Sequence, residues 1–213
     1  VAGAATGVVE ADRVLGADRV DDGDVVLALA SSGLHSNGYS LVRHILAERG
    51  IGFTDHSAEL GGVVGEVLLE PTRLYTAALL DLLDNSELGD AVHALSHVTG
   101  GGIAANLARV LPRGSWADVE RASWTPPQVF QALAALSGAS LESTEGTWNL
   151  GIGFVAVVEA SRADRIAQAL TAAGITTWPV ATVSTTATDL TGYEQGAKGV
   201  DGGAVRLVGS YRP

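Results

Sequence analysis

The apolar positions alternate between short runs of strand length and stripes of helical period. Val25 to Ala30 is an unbroken apolar run, the length of a strand buried on both faces. It breaks into Ser31-Ser32-Gly33-Leu34-His35-Ser36-Asn37-Gly38, after which Leu41, Val42, Ile45 and Leu46 share one face of a helix that Gly50 can close. Ala4 to Ala11 reads as a strand, and Asp18 to Asp24 as a solvated acidic turn. A glycine-bearing loop, Gly50 to Val67, leads into EPTRLYTAALLDLLDN. Pro71 fits the first turn of a helix there, with Leu74, Tyr75, Ala78, Leu79, Leu82 and Leu83 as its buried stripe. Ala91 to Val98 is a second strand; it runs into Thr99-Gly100-Gly101-Gly102 and a helix, IAANLARVL, ended by Pro112 and Gly114.

The remainder continues in the same manner. Trp124 to Ser137 is a helix with Thr125 as N-cap and Pro126 at its first position, and Gly138 to Thr147 is a polar connector. Asn149 to Glu159 is a third buried strand, starting at Asn149, Gly151 and Gly153. Ser161 with Asp164 resembles a capping box for a helix that Gly174 closes, and Thr176 to Val183 is a strand. That strand–helix–strand order implies a split βαβ or ferredoxin-like portion. Thr185 to Gly203 reads as a mobile loop and Ala204 to Gly209 as a last strand, at an edge.

Composition narrows the function classes. Apolar residues make up 46% and charged residues 17% of 213, which fits a globular protein and argues against disorder. No apolar run approaches the roughly 20 residues of a membrane span. Without cysteine there is no disulfide framework, thiolate metal site or cysteine nucleophile, which is compatible with a cytoplasmic location. A net charge of −11 leaves no basic stripe for nucleic acid or anionic lipid. Phosphate binding would have to be local, through backbone N–H groups and one or two arginines. Because methionine is absent even at position 1 and the chain opens in what reads as a strand, we expect the back part of something longer.

Candidate chemistry gathers in two corners of the same design, each a buried strand, a Gly/Ser loop and a helix start. Free N–H groups and the positive end of a helix dipole favour an anion there. The plainer alternative for the first corner is a capped turn, and for the triple glycine close helix–strand packing. The first loop is longer than a cap requires and carries a histidine. Two such loops in one chain point to a shared ligand. His93 and His97 share a face, but no third metal ligand lies near them in sequence, so no metal site is expected.

GDVVLALASSGLHSNGYSLVR, EPTRLY, HVTGGGIAANLARVLP and WNLGIGFVAVV follow one another as in the back half of the phosphoribosylformylglycinamidine cyclo-ligase (aminoimidazole ribonucleotide synthetase) family. The resemblance covers Ala2 to about Val183, and the tail GAKGVDGGAVRLVG resembles family ends. Of these, SSGLHSNGYSLVR is the most specific stretch. The resemblance implies a homodimeric, two-domain subunit. Its first domain, a barrel-like sheet, would carry most contacts to ATP and Mg²⁺. The second is an α+β unit of α/β/α layers, with a mixed β-sheet flanked by helices. Residues 1–11 would be the end of the first domain and 12–213 the second. The missing front half removes the expected magnesium carboxylates, so the chain alone should be inactive. The family usually has a methionine-bearing version of the stretch that is TWNLGIGF in this chain.

The implied reaction is ATP-dependent ring closure of formylglycinamidine ribonucleotide to aminoimidazole ribonucleotide, in purine biosynthesis. ATP phosphorylates the formyl oxygen, a substrate nitrogen attacks the activated carbon, and phosphate leaves. On this chain the phosphorylated substrate would be gripped by Ser31, Ser32 and Gly33 with Thr99, Gly100, Gly101 and Gly102. His35, and after it His97, are the candidates for substrate contact or proton transfer. Asn37 would orient the formyl or amidine group, and Asn149 would line the cleft. Arg73, at a helix start where a cation is disfavoured, would answer an anion. The rivals are a sister enzyme such as formylglycinamidine ribonucleotide synthase, and a non-catalytic phosphate-binding module.

Overall fold

A computed structural model describes residues 3–197 and 199–212; Val1 and Ala2 of the expected first-domain remnant, Lys198 of the family-like tail, and Pro213 lie outside the described residues. Among the described residues, nine strands and seven α-helices follow in the order β1 (Val25–Ala30), α1 (Tyr39–Glu48), β2 (His56–Ser57), β3 (Gly62–Val63), α2 (Val64–Leu68), α3 (Thr76–Leu83), β4 (Val92–His97), α4 (Gly102–Ala108), β5 (Trp116–Glu120), α5 (Gln128–Ser137), α6 (Leu141–Thr144), β6 (Ile152–Val158), α7 (Ala163–Ala172), β7 (Thr177–Ser184), β8 (Glu194–Ala197) and β9 (Val200–Val208).

Seven strands form one mixed sheet in the order β4-β6-β1-β7-β5-β9-β8. Its first four strands are antiparallel throughout, and β6–α7–β7 straddles β1. This is the ferredoxin-like, split βαβ arrangement the strand–helix–strand order implied. β5 then pairs antiparallel with β7 and parallel with β9, so the fold is α+β with a mixed sheet.

The alternation of β1 shows how the layers are held. Val26 and Ala28 enter one core, with Ile103 and Leu107 of α4; Leu27 and Leu29 enter another, with Leu79 and Leu82 of α3 and Ile166 and Leu170 of α7. A third core joins Val42, Ile45 and Leu46 of α1 to Leu68 of α2, Phe130 and Leu133 of α5, and Trp148.

Several boundaries depart from the sequence pattern, each for a local reason. Residues 3–10 form no strand, and Val8 is 98% exposed. A strand needs a partner edge for its N–H and C=O groups, and none of the described residues provides one. Asp24 is not solvated: it is buried, and its carboxylate meets His93 Nδ1 at 2.6 Å. The helix expected from Pro71 starts at Thr76, which leaves Leu74 87% exposed instead of in the buried stripe. Thr125 is no cap either. Pro127 disfavours a helical Pro126, so α5 begins only after the second proline. Ser161 bonds the Glu159 carboxylate rather than closing a capping box, and α7 has no side-chain N-cap.

Within the expected loops, Gly50–Val67 contains the β2–β3 hairpin and the start of α2, and Gly138–Thr147 contains α6, capped by Ser140. The stretch read as a mobile loop, Thr185–Gly203, holds β8 and the start of β9. β9 is therefore interior, between β5 and β8, and the edge belongs to β8.

Candidate functional site

β1 and β4 both run antiparallel to β6, which lies between them, so they are parallel and their C-terminal corners leave the same end of the sheet. β6 starts at that end. The register places Ala30 opposite Ile152 and His97 opposite Phe154. Three stretches the pattern singled out, Ser31–Gly38, Thr99–Gly102 and Asn149–Gly153, therefore meet. The corners lie close together: a Cβ added to Gly100 would be 3.6 Å from Asn37 Oδ1.

Asn149 holds this end together. It is buried; its Oδ1 accepts from Ser31 Oγ at 3.1 Å and from Gly151 N at 2.8 Å, and its Nδ2 donates to Gly33 O at 2.9 Å. Those bonds use its amide on the protein, which makes it a brace for the first corner. Ser31 N donates to Gly151 O at 2.9 Å, and Val98 N to Gly153 O at 3.0 Å. Ser32 Oγ donates to Pro71 O at 2.6 Å, so the segment before α3 lies against the same loop.

His35 takes a left-handed φ of 58°, rare for a side chain of its size, and is 6% exposed. Ser32 N donates to its Nε2 at 3.2 Å. Its ring is 6.2 Å from Tyr75, edge on, and 6.4 Å from His97. Tyr75 OH donates to Ala30 O at 2.9 Å. A side chain on Gly153 would collide with that hydroxyl and lie 2.5 Å from His35 Cε1. Burial, then His97 and Arg73, lower the His35 pKa to about 4, so the ring is neutral at pH 7. His97 is exposed, stacks on Phe154 at 5.6 Å, and has its proton affinity lowered by partial burial.

The glycine corner is braced from below by Asn106, which the sequence pattern passed over. It is fully buried; Nδ2 donates to Gly102 O at 2.6 Å and Thr99 O at 3.3 Å, while Oδ1 accepts from Thr99 Oγ1 at 3.2 Å. An asparagine on the apolar face of IAANLARVL was the available signal. Gly102 (φ 67°) packs against the Glu145 carbonyl with no room for a Cβ, so close packing accounts for this glycine. Several N–H groups expected to be free also have partners: Gly101 N donates to Gly146 O and Gly102 N to Thr99 O.

Arg73 stands ahead of α3 rather than in its first turn. Its Nη1 donates to Gly174 O at 2.9 Å, beyond the C-terminal turn of α7, where a cation is favourable. His93 is paired with Asp24, and no group of three metal-ligating side chains converges among the described residues. Among the described residues, no helix is long and apolar enough to cross a membrane.

Residues 21–190 match the family described as AIR synthase related protein, C-terminal domain. The phosphoribosylformylglycinamidine cyclo-ligase of Sorangium cellulosum is 49% identical over 181 residues, covering 84% of this chain and 51% of that protein. The enzyme of that name from Thermosynechococcus vestitus is 41% identical, covering 86% and 52%. The chain thus spans about half the length of these curated relatives, whereas a relative from Streptomyces fradiae, 43% identical, is covered over 97% of its length. Among solved structures, thiamine-monophosphate kinase from Stenotrophomonas maltophilia K279a aligns at TM-score 0.54 and 16% identity, over 96% of this chain and 56% of that one. E. coli HypE, a hydrogenase maturation protein, aligns at 0.52 and 18%, over 92% and 49%. These two establish the fold alone. On the extent of the family match and the coverage of the Streptomyces fradiae relative, the chain belongs to the AIR synthase related family as its C-terminal domain.

Proposed function

We propose that the chain is the second domain of a phosphoribosylformylglycinamidine cyclo-ligase, which closes the imidazole ring of aminoimidazole ribonucleotide at the expense of ATP. The observation that carries this is the meeting of the Ser31–Gly38 and Thr99–Gly102 corners at one end of the sheet, in a chain whose relatives bear that enzyme's name. SSGLHSNGYSLVR favours the cyclo-ligase over its sister enzymes.

In this proposal Ser32, Gly33 and Gly100 face the ribose phosphate, with Thr99 and Gly101 behind them. Asn37, which makes no side-chain hydrogen bond among the described residues, orients the amidine, and Asn149 holds the corner open. His35 contacts substrate. His97, exposed and neutral, is the better placed of the two histidines to accept a proton from the attacking nitrogen. Bringing nitrogen and formyl carbon together is the main contribution asked of this domain. ATP and Mg²⁺ would be held chiefly by a preceding barrel-like domain. The described residues gather no metal-ligating set, and no step is assigned to a metal on this chain. The two-domain protein would act as a homodimer in the cytoplasm.

The test is an assay of aminoimidazole ribonucleotide formation from formylglycinamidine ribonucleotide and ATP, with the protein encoded by the complete gene. Turnover is expected there, and none from the 213-residue chain. If the complete product converts only formylglycinamide ribonucleotide and glutamine, the sister reaction is the right one.

A further inference from the structure

The first corner leaves two buried donors without acceptors. Ser32 N–H donates to His35 Nε2 at 3.2 Å, so that nitrogen carries a lone pair and the neutral ring holds its proton on Nδ1. Nδ1 is buried and has no partner among the described residues. Arg73 is similar: Nη1 is spent on Gly174 O, and Nε is buried without a partner. Arg73 lies between Pro71, whose carbonyl accepts from Ser32 Oγ at 2.6 Å, and Tyr75, whose ring is 6.2 Å from that of His35, so it stands against the same corner. A buried donor left unpaired is costly, and an entering acceptor would remove that cost. The buried side-chain atoms of this corner that lack a partner are both donors.

We propose that His35 Nδ1–H and Arg73 Nε–H form an oxyanion subsite for a phosphate or carboxylate group of the ligand, with His35 serving as a fixed neutral donor and not as the proton carrier. The subsite rests on the two corners being the substrate site, and it names the group they hold there. Tyr75 and Gly153 are its positioning residues. The tyrosine is anchored to Ala30 O and meets the imidazole edge on, and the absent side chain of Gly153 leaves the slot the ring occupies.

The test is the ¹⁵N spectrum of the histidine rings in the full chain, between pH 6 and 8, with and without inorganic phosphate at matched ionic strength. The expected result is a His35 ring protonated at Nδ1 only, with a saturable phosphate-dependent shift of that resonance. A proton on Nε2, or an Nδ1 signal that phosphate leaves unmoved, overturns the subsite. This readout needs no variant, so it stands even where a substitution impairs folding. Among variants, His35→Asn carries an amide N–H near the Nδ1 position and tolerates the left-handed backbone, so it should bind phosphate about as the parent does. His35→Leu and Arg73→Gln should each weaken binding by about tenfold or more. Equal binding by His35→Leu and the parent would also overturn it. If the complete enzyme closes the ring while His35 ignores phosphate, the family function survives and the subsite alone is lost.

Discussion

At Gly153 the space for a methyl group is already taken. A Cβ there would press on Tyr75 Oη and stand 2.5 Å from His35 Cε1, atoms fixed by the bond to Ala30 O and by the acceptor role of Nε2. Gly153→Ala is therefore expected to destabilise the fold by about 1–3 kcal/mol, the usual cost of overpacking. Urea unfolding checks this. Tyr75→Phe, which removes the obstructing oxygen, should recover part of the loss, and strictly additive effects of the two changes would show that the hydroxyl is not the obstruction. The same histidine makes stability depend on pH. Folded His35 stays neutral down to about pH 4 because it is buried and faces His97 and Arg73, whereas an unfolded histidine takes its proton near 6.5. Between those values the unfolded chain binds more protons, so stability falls as pH falls through the window and is level in this respect above it. The loss attributable to His35 is at most about 3 kcal/mol, and His97, shifted in the same direction, adds to it. Urea unfolding from pH 7 to 4.5 should show a shallower slope for His35→Asn than for the parent; parallel slopes would refute the assignment.

Among elements, short α6 has an influence out of proportion to its length. Glu145, just past it, accepts from Arg121 Nε at 2.6 Å and Nη2 at 3.0 Å and from Tyr211 OH at 2.6 Å, while its backbone carbonyl packs on Gly102. The end of α6 thereby ties the chain's last residues to the glycine corner. Glu145→Gln should cost about 2–3 kcal/mol, because it leaves a mostly buried guanidinium short of its charged partner. It should also speed exchange of the Gly101 amide, which donates to Gly146 O. A stability loss with unchanged exchange at Gly101 would separate α6 from the corner. None of this linkage was legible in the sequence, where Gly138–Thr147 has no apolar period. β5 was hidden for a related reason: WADVE buries only Ala117 and Val119 and pairs Asp118 with Arg206 of β9, a partner far away along the chain. What could be read were the strands with apolar runs, β1 and β6, or with apolar residues interleaved with polar ones, β4 and β7, and from them the ferredoxin-like order and the two corners. Helix starts were misread at Pro71 and Thr125, where proline fits a first helical turn as well as it fits an extended lead-in. At the corners the residue types were visible, whereas the internal partners of Asn149 and of the glycine N–H groups depend on strand order.

Across the whole molecule, burial is uneven in a way that exchange can measure. β1 lies between β6 and β7, with helices over both faces, and Val26, Leu27, Ala28 and Leu29 are each at most 1% exposed. Each of its amides can meet solvent only if the neighbouring strand that it bonds separates. β8, four residues long, closes the far edge and pairs with β9 alone, while β2 and β3 pair over two residues each. Amides that open only with the global transition should therefore cluster in β1 and β6, and those of β8 and the β2–β3 hairpin should exchange through local opening at much lower free energy. The parallel β5–β9 pair tests whether the extension folds with the ferredoxin-like part or apart from it. Val119 and Val205 share a core with Val26 and Val155, so protection in β5 and β9 is expected to be lost together with that of β1 as denaturant rises. Hydrogen exchange followed by mass spectrometry in graded urea decides the matter: β1 exchanging as early as β8 would contradict the central strand, and β5 and β9 opening well before β1 would make the extension a separate unit.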